Sequence, residues 1–319
     1  MPLHPQAQQL LEYMNGLQEP YGPDTDPVVA RANLEELASV VPVELREQVL
    51  HVEDRLVLGP RGHIPVRIYR PTDDPELPIL VYFHGGGFVI GSIETHDGIL
   101  RPVANAAGCI IVSVDYGLAP EVPYPGGVED CWVATQWVAA HAAEIGGDPA
   151  RIAVGGDSAG GNLAAVIALE AKESGGPELV FQLLLYPVTA HDPDSPSIKE
   201  NATGYFLEES DIVWFSGHYF GSQERAVALA AAGEWRAFPM VAPDLTGLPP
   251  ALVATAEFDP LRDQGEDYAR RLAASGVNTR LQRYAGMFHG FFGMQRVLDT
   301  SQVLFDDVVA ALRHAFGTA

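Results

Sequence analysis

The pentapeptide Gly156-Asp157-Ser158-Ala159-Gly160 limits the possible folds of this chain more than any other feature. An apolar run at residues 151–154 precedes it, and a helix-forming run at residues 162–172 follows. In a G-x-S-x-G sequence between a strand and a helix, the serine lies on a sharp, strained turn whose neighbours must be small. We predict that Ser158 is a nucleophile exposed above a sheet. The alternative is a glycine-rich loop in which Ser158 only caps a helix.

Apolar runs alternate with amphipathic runs along most of the chain. The predicted strands are residues 49–58, 64–69, 77–83, 109–114, 151–155, 179–186, 251–256 and 279–284. The predicted helices that separate or follow them are residues 128–141, 162–172, 262–275 and 300–316. Strands that alternate with helices form a mostly parallel sheet with helices on both faces. The first two strands, joined by a turn at residues 59–62, predict an antiparallel N-terminal edge.

The pattern changes between residues 188 and 240. Buried strands are absent there, and aromatic residues occur in short helical runs. Residues 1–45 also contain helical patches, which are interrupted between Pro20 and Pro27. We interpret residues 188–240 as an insertion that forms a lid above the carboxyl ends of the strands, where ligands bind on such sheets.

A serine hydroxyl needs a base to accept its proton and an acid to orient that base. On this architecture the chain order is serine, acid, histidine. His84, Ser158, Asp259 and His289 all follow predicted strands, so they share one edge of the sheet. Beyond Asp259 the only histidines are His289, in an apparently flexible loop, and His314, in the last predicted helix. We predict that His289 is the base and that His314 has a surface or packing role.

Four carboxylates are candidates for the acid: Glu257, Asp259, Asp263 and Asp267. Glu257 is closest to the strand, and Asp263 can cap the helix that follows. Asp259 forms the turn itself with Pro260, which can aim its carboxylate across the edge. We favour Asp259 as the acid, with Asp263 as a structural helper.

The oxyanion that forms when a carbonyl is attacked needs backbone donors. One is the N–H of Ala159, directly after the nucleophile. The others are expected from the three glycines after His84, because consecutive glycines let the backbone approach a substrate closely. His84 itself is expected to anchor this loop by hydrogen bonds rather than to act as a base.

Several segments together resemble a known family. They are His84-Gly85-Gly86-Gly87-Phe88 with Gly91-Ser92, Gly156-Asp157-Ser158-Ala159-Gly160-Gly161, Asp259-Pro260-Leu261-Arg262-Asp263, His289-Gly290-Phe291, residues 115–121 and Tyr186-Pro187. In this order they resemble the hormone-sensitive-lipase family of α/β-hydrolase esterases, bacterial family IV, over roughly residues 50–295. The resemblance implies hydrolysis of carboxylic esters with short to medium acyl chains.

The resemblance also implies the roles of individual residues. The implied triad is Ser158, Asp259 and His289, and the implied oxyanion hole is the N–H groups of Gly86, Gly87 and Ala159. It implies a helical cap made of residues 1–45 and 188–240 over a catalytic domain of residues 46–187 and 241–319. The predicted substrate contacts are Phe88, Asp157, Tyr186, Tyr205 and Phe206. For the two cap aromatics, Tyr205 and Phe206, simple core packing is the alternative.

The chain departs from the family pattern at two positions. The family usually has arginine where this chain has Gly117, and commonly histidine where it has Val122. We expect the first change to remove a structural ion pair below the site and to loosen the loop at residues 117–124.

Composition and missing motifs exclude several classes of function. The formal net charge of −23, from 19 basic and 42 acidic residues, argues against nucleic acid or an anionic membrane as partner. No apolar run reaches the ~18 residues of a membrane span, and Met1 to Gln9 lacks the pattern of a signal peptide. We therefore expect a cytoplasmic protein. The two cysteines form no disulfide framework.

The sequence also has no H-E-x-x-H, P-loop or G-x-G-x-x-G motif, so we expect neither a metal nor a cofactor. The expected partner is a small-molecule ester, and the resemblance allows a homodimer. Two other functions stay open. The same residues could serve an amidase or peptidase, or the fold could form a non-catalytic receptor, which the retained His289 argues against.

Overall fold

One eight-stranded sheet forms the centre of the computed structural model, which describes residues 2–16 and 21–318. The strands are β1 (His51–Gly59), β2 (Gly62–Arg70), β3 (Leu77–Phe83), β4 (Ile110–Val114), β5 (Gly147–Asp157), β6 (Phe181–Leu185), β7 (Ala251–Phe258) and β8 (Thr279–Phe288). Their order across the sheet is β1-β2-β4-β3-β5-β6-β7-β8. Strand β2 is antiparallel to β1 and β4, and all other pairs are parallel. The predicted α/β-hydrolase fold with an antiparallel N-terminal edge is confirmed.

Ten α-helices occur in the described part of the chain. They are α1 (Pro5–Asn15), α2 (Pro27–Ser39), α3 (Ile93–Ala107), α4 (Gly126–His141), α5 (Ala159–Ser174), α6 (Pro196–Glu200), α7 (Glu209–Phe220), α8 (Gln223–Ala231), α9 (Arg262–Ala274) and α10 (Asp299–Phe316). Of the predicted helices, α4, α5, α9 and α10 agree with the structure to within a few residues. The sequence analysis did not predict α3.

The two faces of the sheet have separate apolar cores because side chains alternate along each strand. On β3, Ile79, Val81 and Phe83 belong to one core, while Leu80 and Tyr82 belong to the other. Buried side chains of α4, α5 and α9 complete the first core. Those of α1, α3 and α10 complete the second core. Helices therefore cover both faces, as predicted.

The N-terminal segment and the insertion at residues 188–240 contact each other. The ring of Tyr21 stacks on Trp214 of α7 at 4.8 Å between ring centres. The backbone N–H of Tyr21 donates to the carboxylate of Asp211, also on α7, at 2.7 Å. Pro20, where we placed the start of the break between the N-terminal helices, lies outside the described residues. The division into a cap and a catalytic domain stays a prediction.

In the residues that the structure describes, no helix is both long and apolar enough to cross a membrane.

Candidate active site

Ser158 lies on the turn between β5 and α5, and its backbone is in a rarely populated conformation (φ 56°, ψ −116°). The two glycines of the pentapeptide are required by close backbone contacts. A methyl group added to Gly160 would lie 1.9 Å from the carbonyl oxygen of Phe83, and one on Gly156 would lie 2.3 Å from the carbonyl oxygen of Gly160. The turn is therefore packed against the end of β3, and this packing holds the strained serine in place.

Three side chains from distant parts of the chain meet at this turn. His289 Nε2 lies 2.9 Å from Ser158 Oγ, and His289 Nδ1 lies 2.8 Å from Asp259 Oδ2. The other oxygen of Asp259 accepts the N–H of Leu261 at 2.8 Å, which fixes the carboxylate. Asp259 is fully buried, and Ser158 and His289 are nearly so. The hydroxyl, imidazole and carboxylate thus form one continuous chain of hydrogen bonds.

Asp259 and His289 are each placed by the end of a strand. Strand β7 ends at Phe258 and β8 at Phe288, and the two strands are paired there, so both side chains start from neighbouring points of the sheet edge. The predicted end of β8 at residue 284 is corrected, because the strand extends to Phe288. His289 and Gly290 form a turn directly after it, so the segment outside the sheet is shorter than expected.

The other candidate acids and the second histidine lie away from Ser158. Glu257 accepts the N–H of Gly286 at 2.7 Å. Asp263 does not cap α9 as suggested. It accepts the N–H of Ser197 at 2.8 Å and so ties α9 to α6. Asp267 pairs with Arg270 on the surface, and His314 lies in the last turn of α10.

The loop after β3 lies beside Ser158. Its glycines Gly86 and Gly87 have φ values of 117° and 59°, and Phe88 has 66°. A methyl group on Gly86 would lie 2.2 Å from the carbonyl oxygen of Ile90. In the described part of the chain, no protein group accepts the N–H of Gly86, Gly87 or Ala159. In this part of the chain the three N–H groups thus have no protein acceptor, and their role as an oxyanion hole stays a prediction.

His84 supports this loop as expected. Its Nδ1 lies 2.7 Å from the carbonyl oxygen of Gly85, and its ring stacks on Tyr116 at 4.4 Å. The hydroxyl of Tyr116 donates to the carbonyl oxygen of His84 at 2.8 Å. Burial, reinforced by the nearby His96, lowers the pKa of His84 to about 4. The ring stays neutral at ordinary pH and acts as an anchor.

Asp157 supports the same loop from the other side, and its predicted substrate contact is corrected. Its Oδ1 accepts the N–H of Gly85 at 3.0 Å and the hydroxyl of Tyr82 at 2.8 Å. His96 Nε2 lies 3.2 Å from the same oxygen. Burial alone would raise the pKa of Asp157, but the charge and hydrogen bond of His96 outweigh it and lower this pKa. The carboxylate is thus committed to protein donors.

An apolar cavity of about 130 Å³ opens onto Ser158. Its walls come from the loop after β3, from residues following β6 and from α7, and they include Gly87, Phe88, Val188, Phe215, Tyr219 and Phe238. Phe215 covers the loop at residues 84–92, which we call the oxyanion loop after its predicted role, so closely that a methyl group on Gly87 would lie 2.2 Å from its ring. The ring of Phe88 stacks on Tyr219 at 3.9 Å. Of the five predicted substrate contacts, only Phe88 lines this cavity.

The remaining three predicted contacts pack around the cavity rather than line it. Tyr186 is buried with its ring edge-on to His289 at 4.9 Å, so it supports the imidazole. Tyr205 packs on Phe258 at 5.1 Å. Phe206 packs on Phe288 at 6.0 Å, beside the turn that carries His289. The packing alternative fits the partly buried Tyr205, whereas Phe206 is 40% exposed and is not a core residue.

A second cavity, of about 310 Å³ and with several charged residues in its walls, lies elsewhere, between the β1–β2 hairpin and the start of α3. Its walls include Arg67 and Asp115. Burial raises the pKa of Asp115 to about 6. This cavity has no serine–histidine pair, so the chemistry centres on Ser158. Among the described residues, no group of three or more His, Cys, Asp or Glu side chains is arranged to hold a metal ion.

The departure at Gly117 has a structural explanation. The N–H of Gly117 donates to Asp130 Oδ2 at 3.0 Å, and a methyl group at Gly117 would lie 2.9 Å from that oxygen. Arg61, from the turn between β1 and β2, pairs with Asp130 Oδ1 at 2.6 Å. The carboxylate below the site therefore has an arginine partner from another part of the chain.

Comparisons with known proteins agree with this architecture. A family model described as alpha/beta hydrolase fold matches residues 80–293. Esterase LipI of Mycobacterium tuberculosis is 46% identical over 267 residues, covering 83% of this chain and 82% of that protein. Carboxylesterase NlhH of the same organism is 45% identical over 293 residues, covering 90% and 89%. The chain belongs to the hormone-sensitive-lipase family of α/β-hydrolase carboxylesterases.

A solved structure of the family extends the match to the whole chain. The hyperthermophilic esterase from the archaeon Pyrobaculum calidifontis superposes with a TM-score of 0.91 at 40% sequence identity, and the match covers 100% of both chains. The chain is therefore an enzyme of the serine carboxylester-hydrolase class, as the resemblance of its motifs implied.

The sequence analysis missed two residues that touch the oxyanion loop, Arg31 on α2 and Phe215 on α7. Phe215 belongs to the aromatic runs noted in the insertion, but nothing in the sequence shows which of those rings faces Ser158. Arg31 binds the carbonyl group of Val89, which lies 58 positions further along the chain. Only coordinates can reveal a contact of that kind.

Proposed function

We propose that this protein hydrolyses small carboxylic esters with short to medium acyl chains, through an acyl-enzyme formed on Ser158. One observation carries the proposal: the continuous chain of hydrogen bonds from Ser158 Oγ through His289 to Asp259. Such an arrangement activates a hydroxyl that is otherwise a weak nucleophile at neutral pH.

In the first half-reaction, His289 Nε2 accepts the proton of Ser158 as Oγ attacks the ester carbonyl carbon. Asp259, on Nδ1, keeps the imidazole in the correct tautomer and stabilises its positive charge. The C–O bond to the alcohol then breaks, and the imidazolium donates its proton to the leaving oxygen. The acyl group remains on Ser158 as an ester.

The tetrahedral intermediate carries a negative oxygen, and we assign the N–H groups of Gly86, Gly87 and Ala159 as its donors. Fixed donors of this kind stabilise the transition state because they need no rearrangement as the charge develops. In the second half-reaction, His289 removes a proton from water, and the resulting nucleophile attacks the acyl-enzyme. Collapse of the second intermediate releases the acid and returns the proton to Ser158.

The substrate class follows from the cavity. Its apolar walls suit an acyl chain, and its volume of about 130 Å³ suits a short one. The described walls include no arginine or lysine that would pair with an anionic substrate. We therefore favour uncharged esters.

The test compares wild type with Ser158→Ala on p-nitrophenyl butyrate. We expect kcat to fall by about 10⁴-fold or more, since loss of a triad member has that effect. Ser275→Ala is the control, because its hydroxyl donates to the carbonyl oxygen of Arg271 at the end of α9, away from the cavity. Equal rates for wild type and Ser158→Ala would contradict the proposal.

Two further measurements separate the alternatives. A fluorophosphonate probe should add one adduct to wild type and none to Ser158→Ala by intact mass, whereas a receptor without a reactive serine would gain none. Turnover of p-nitrobutyranilide faster than that of the matching ester would favour an amidase.

A further inference from the structure

Arg31, on helix α2, connects the N-terminal segment to the oxyanion loop. Its Nε donates to the carbonyl oxygen of Val89 at 2.7 Å, and its Nη2 donates to the carbonyl oxygen of Ala119 at 2.7 Å. The guanidinium also pairs with both carboxylate oxygens of Glu121, at 2.9 and 2.6 Å. Val89 and Ala119 are fully buried residues, so Arg31 satisfies two carbonyl groups with little access to water.

The loop that Arg31 binds contains a strained residue. Gly86 and Gly87 adopt positive φ values without cost, but Phe88 also has a positive φ of 66°, which persists in a residue with a side chain only where the surroundings enforce it. Inside the loop, the carbonyl oxygen of Gly86 accepts the N–H groups of Val89 and Ile90, at 3.0 and 2.9 Å. The carbonyl group of Gly86 and the N–H of Gly87 lie in one peptide plane. The direction of the Gly87 N–H therefore depends on where Val89 is held.

Arg31 holds this loop at two points. The direct point is the carbonyl oxygen of Val89. The indirect point is Ala119, whose carbonyl oxygen Arg31 binds and whose N–H donates to the carbonyl oxygen of Phe88 at 2.9 Å. One guanidinium thus fixes both Phe88 and Val89, the residues that directly follow the oxyanion glycines.

We propose that Arg31 is a positioning residue for ester hydrolysis: by binding the carbonyl groups of Val89 and Ala119, it keeps the N–H group of Gly87 aimed at the oxyanion. The inference rests on the proposed function, since it assumes the oxyanion role of Gly87. Arg31 itself touches neither substrate nor Ser158.

The expected effect falls on kcat more than on KM. Loss of one oxyanion donor typically lowers kcat by about 10²–10³-fold, and Arg31→Ala misdirects one donor without removing it. We expect kcat on p-nitrophenyl butyrate to fall by about 10- to 100-fold, with KM changed by less than about threefold. The apolar cavity that binds the acyl chain is left intact.

A transition-state analogue provides a readout that a merely structural role would not change. A trifluoromethyl ketone adds to Ser158 Oγ and forms a hemiketal oxyanion, whereas the matching non-fluorinated ketone binds without that charge. In Arg31→Ala, the Ki of the fluorinated ketone should rise by the same factor as kcat/KM falls, and the Ki of the plain ketone should stay within about twofold.

Two variants keep the test interpretable. In Arg31→Lys, one ammonium group can reach one of the two carbonyl groups but cannot bridge both as the planar fork does. It should recover part of the lost kcat, and it decides the question if Arg31→Ala does not fold. Arg55→Ala is the matched control, because it removes another arginine ion pair, with Glu53 on the same strand, and Arg55 donates no hydrogen bond to the loop that Arg31 binds.

The inference is overturned if both Arg31 variants keep kcat and the fluorinated-ketone Ki within twofold of wild type. It is also overturned if the plain ketone weakens as much as the fluorinated one, because that would indicate a general loss of structure. Failure of the proposed function looks different: wild type itself would then show no turnover that depends on Ser158.

Discussion

Ser158 occupies a turn that tolerates no added atoms on its inner side. The closest approach is at Gly160, where a methyl group would overlap the carbonyl oxygen of Phe83 at 1.9 Å. That oxygen belongs to the end of β3, the strand that leads into the oxyanion loop. The glycine therefore sets the distance between the nucleophile turn and the loop that carries its donors.

We predict that Gly160→Ala destabilises the protein by about 3 kcal/mol, because neither backbone can shift without disturbing the sheet. The melting temperature should fall by roughly 4–5 °C for a chain of this size. Gly98→Ala is the matched control, since Gly98 lies in α3 with nothing within 4 Å of an added methyl group. Alanine there should stabilise the helix by about 0.5–1 kcal/mol. Equal melting temperatures for the two variants would contradict the packing argument.

Single residues differ in how far the sequence could predict them. Ser158 and His289 were predictable, because a motif marks the first and chain order leaves few histidines for the second. Asp259 could not be separated from the other candidate acids by residue type, since three further carboxylates lie two to eight positions from it, at the end of β7 or after it. Asp157 was placed with the substrate because a motif does not reveal which way a side chain points.

Aromatic side chains of helix α7 pack against the oxyanion loop. Phe215 covers Gly87, and Tyr219 stacks on Phe88, so one face of this helix forms the upper wall of the cavity. The length of acyl chain that the cavity accepts should therefore depend on α7.

We predict that Phe215→Ala shifts the preference toward longer esters. Removing the ring opens space above Gly87, and the ratio of kcat/KM for p-nitrophenyl decanoate over butyrate should rise at least about tenfold. Phe206→Ala is the control, because Phe206 is an insertion aromatic that does not line the cavity. An unchanged ratio in Phe215→Ala, or an equal rise in Phe206→Ala, would show that α7 does not set chain length.

The helices and strands could be predicted from the sequence where their residues follow one clear pattern, such as a continuous apolar run. The inner strands are apolar on both faces. The predicted strand bounds agree with the structure to within a few residues, except that β5 and β8 extend further than predicted. Helix α3 was missed because Gly98 and Pro102 interrupt its pattern. It forms because Ser92 and Thr95 cap its start, Gly108 ends it (φ 64°), and the second core buries one of its faces. Tertiary packing overrode weak local propensity.

At the scale of the whole molecule, charge is the dominant surface property. The net charge of −23 and the sequence pI of about 4.6 mean that unpaired carboxylates outnumber cations at neutral pH. Repulsion between these carboxylates destabilises the folded state. Dissolved salt weakens the repulsion, because the screening length falls from about 30 Å at 0.01 M salt to about 10 Å at 0.1 M.

We predict that the melting temperature at pH 7.5 rises by a few degrees between 10 and 500 mM sodium chloride. The same series at pH 5, close to the pI, is the control. The rise should shrink there, because the net charge is small and screening mainly weakens attractive ion pairs. A melting temperature that falls with salt at pH 7.5 would mean that the surface ion pairs outweigh the repulsion.

Homodimerisation, which the resemblance allows, stays a prediction.

The sheet joins side chains that are far apart along the chain. Ser158 and His289 are separated by 131 positions, and their contact requires β8 to be paired with β7 at the far edge. A partly folded chain can contain the turn around Ser158 and still be inactive, because His289 is not yet in contact with the hydroxyl. During refolding from denaturant, the return of ester turnover should therefore report the arrival of the last strand, later than signals that follow collapse or helix content.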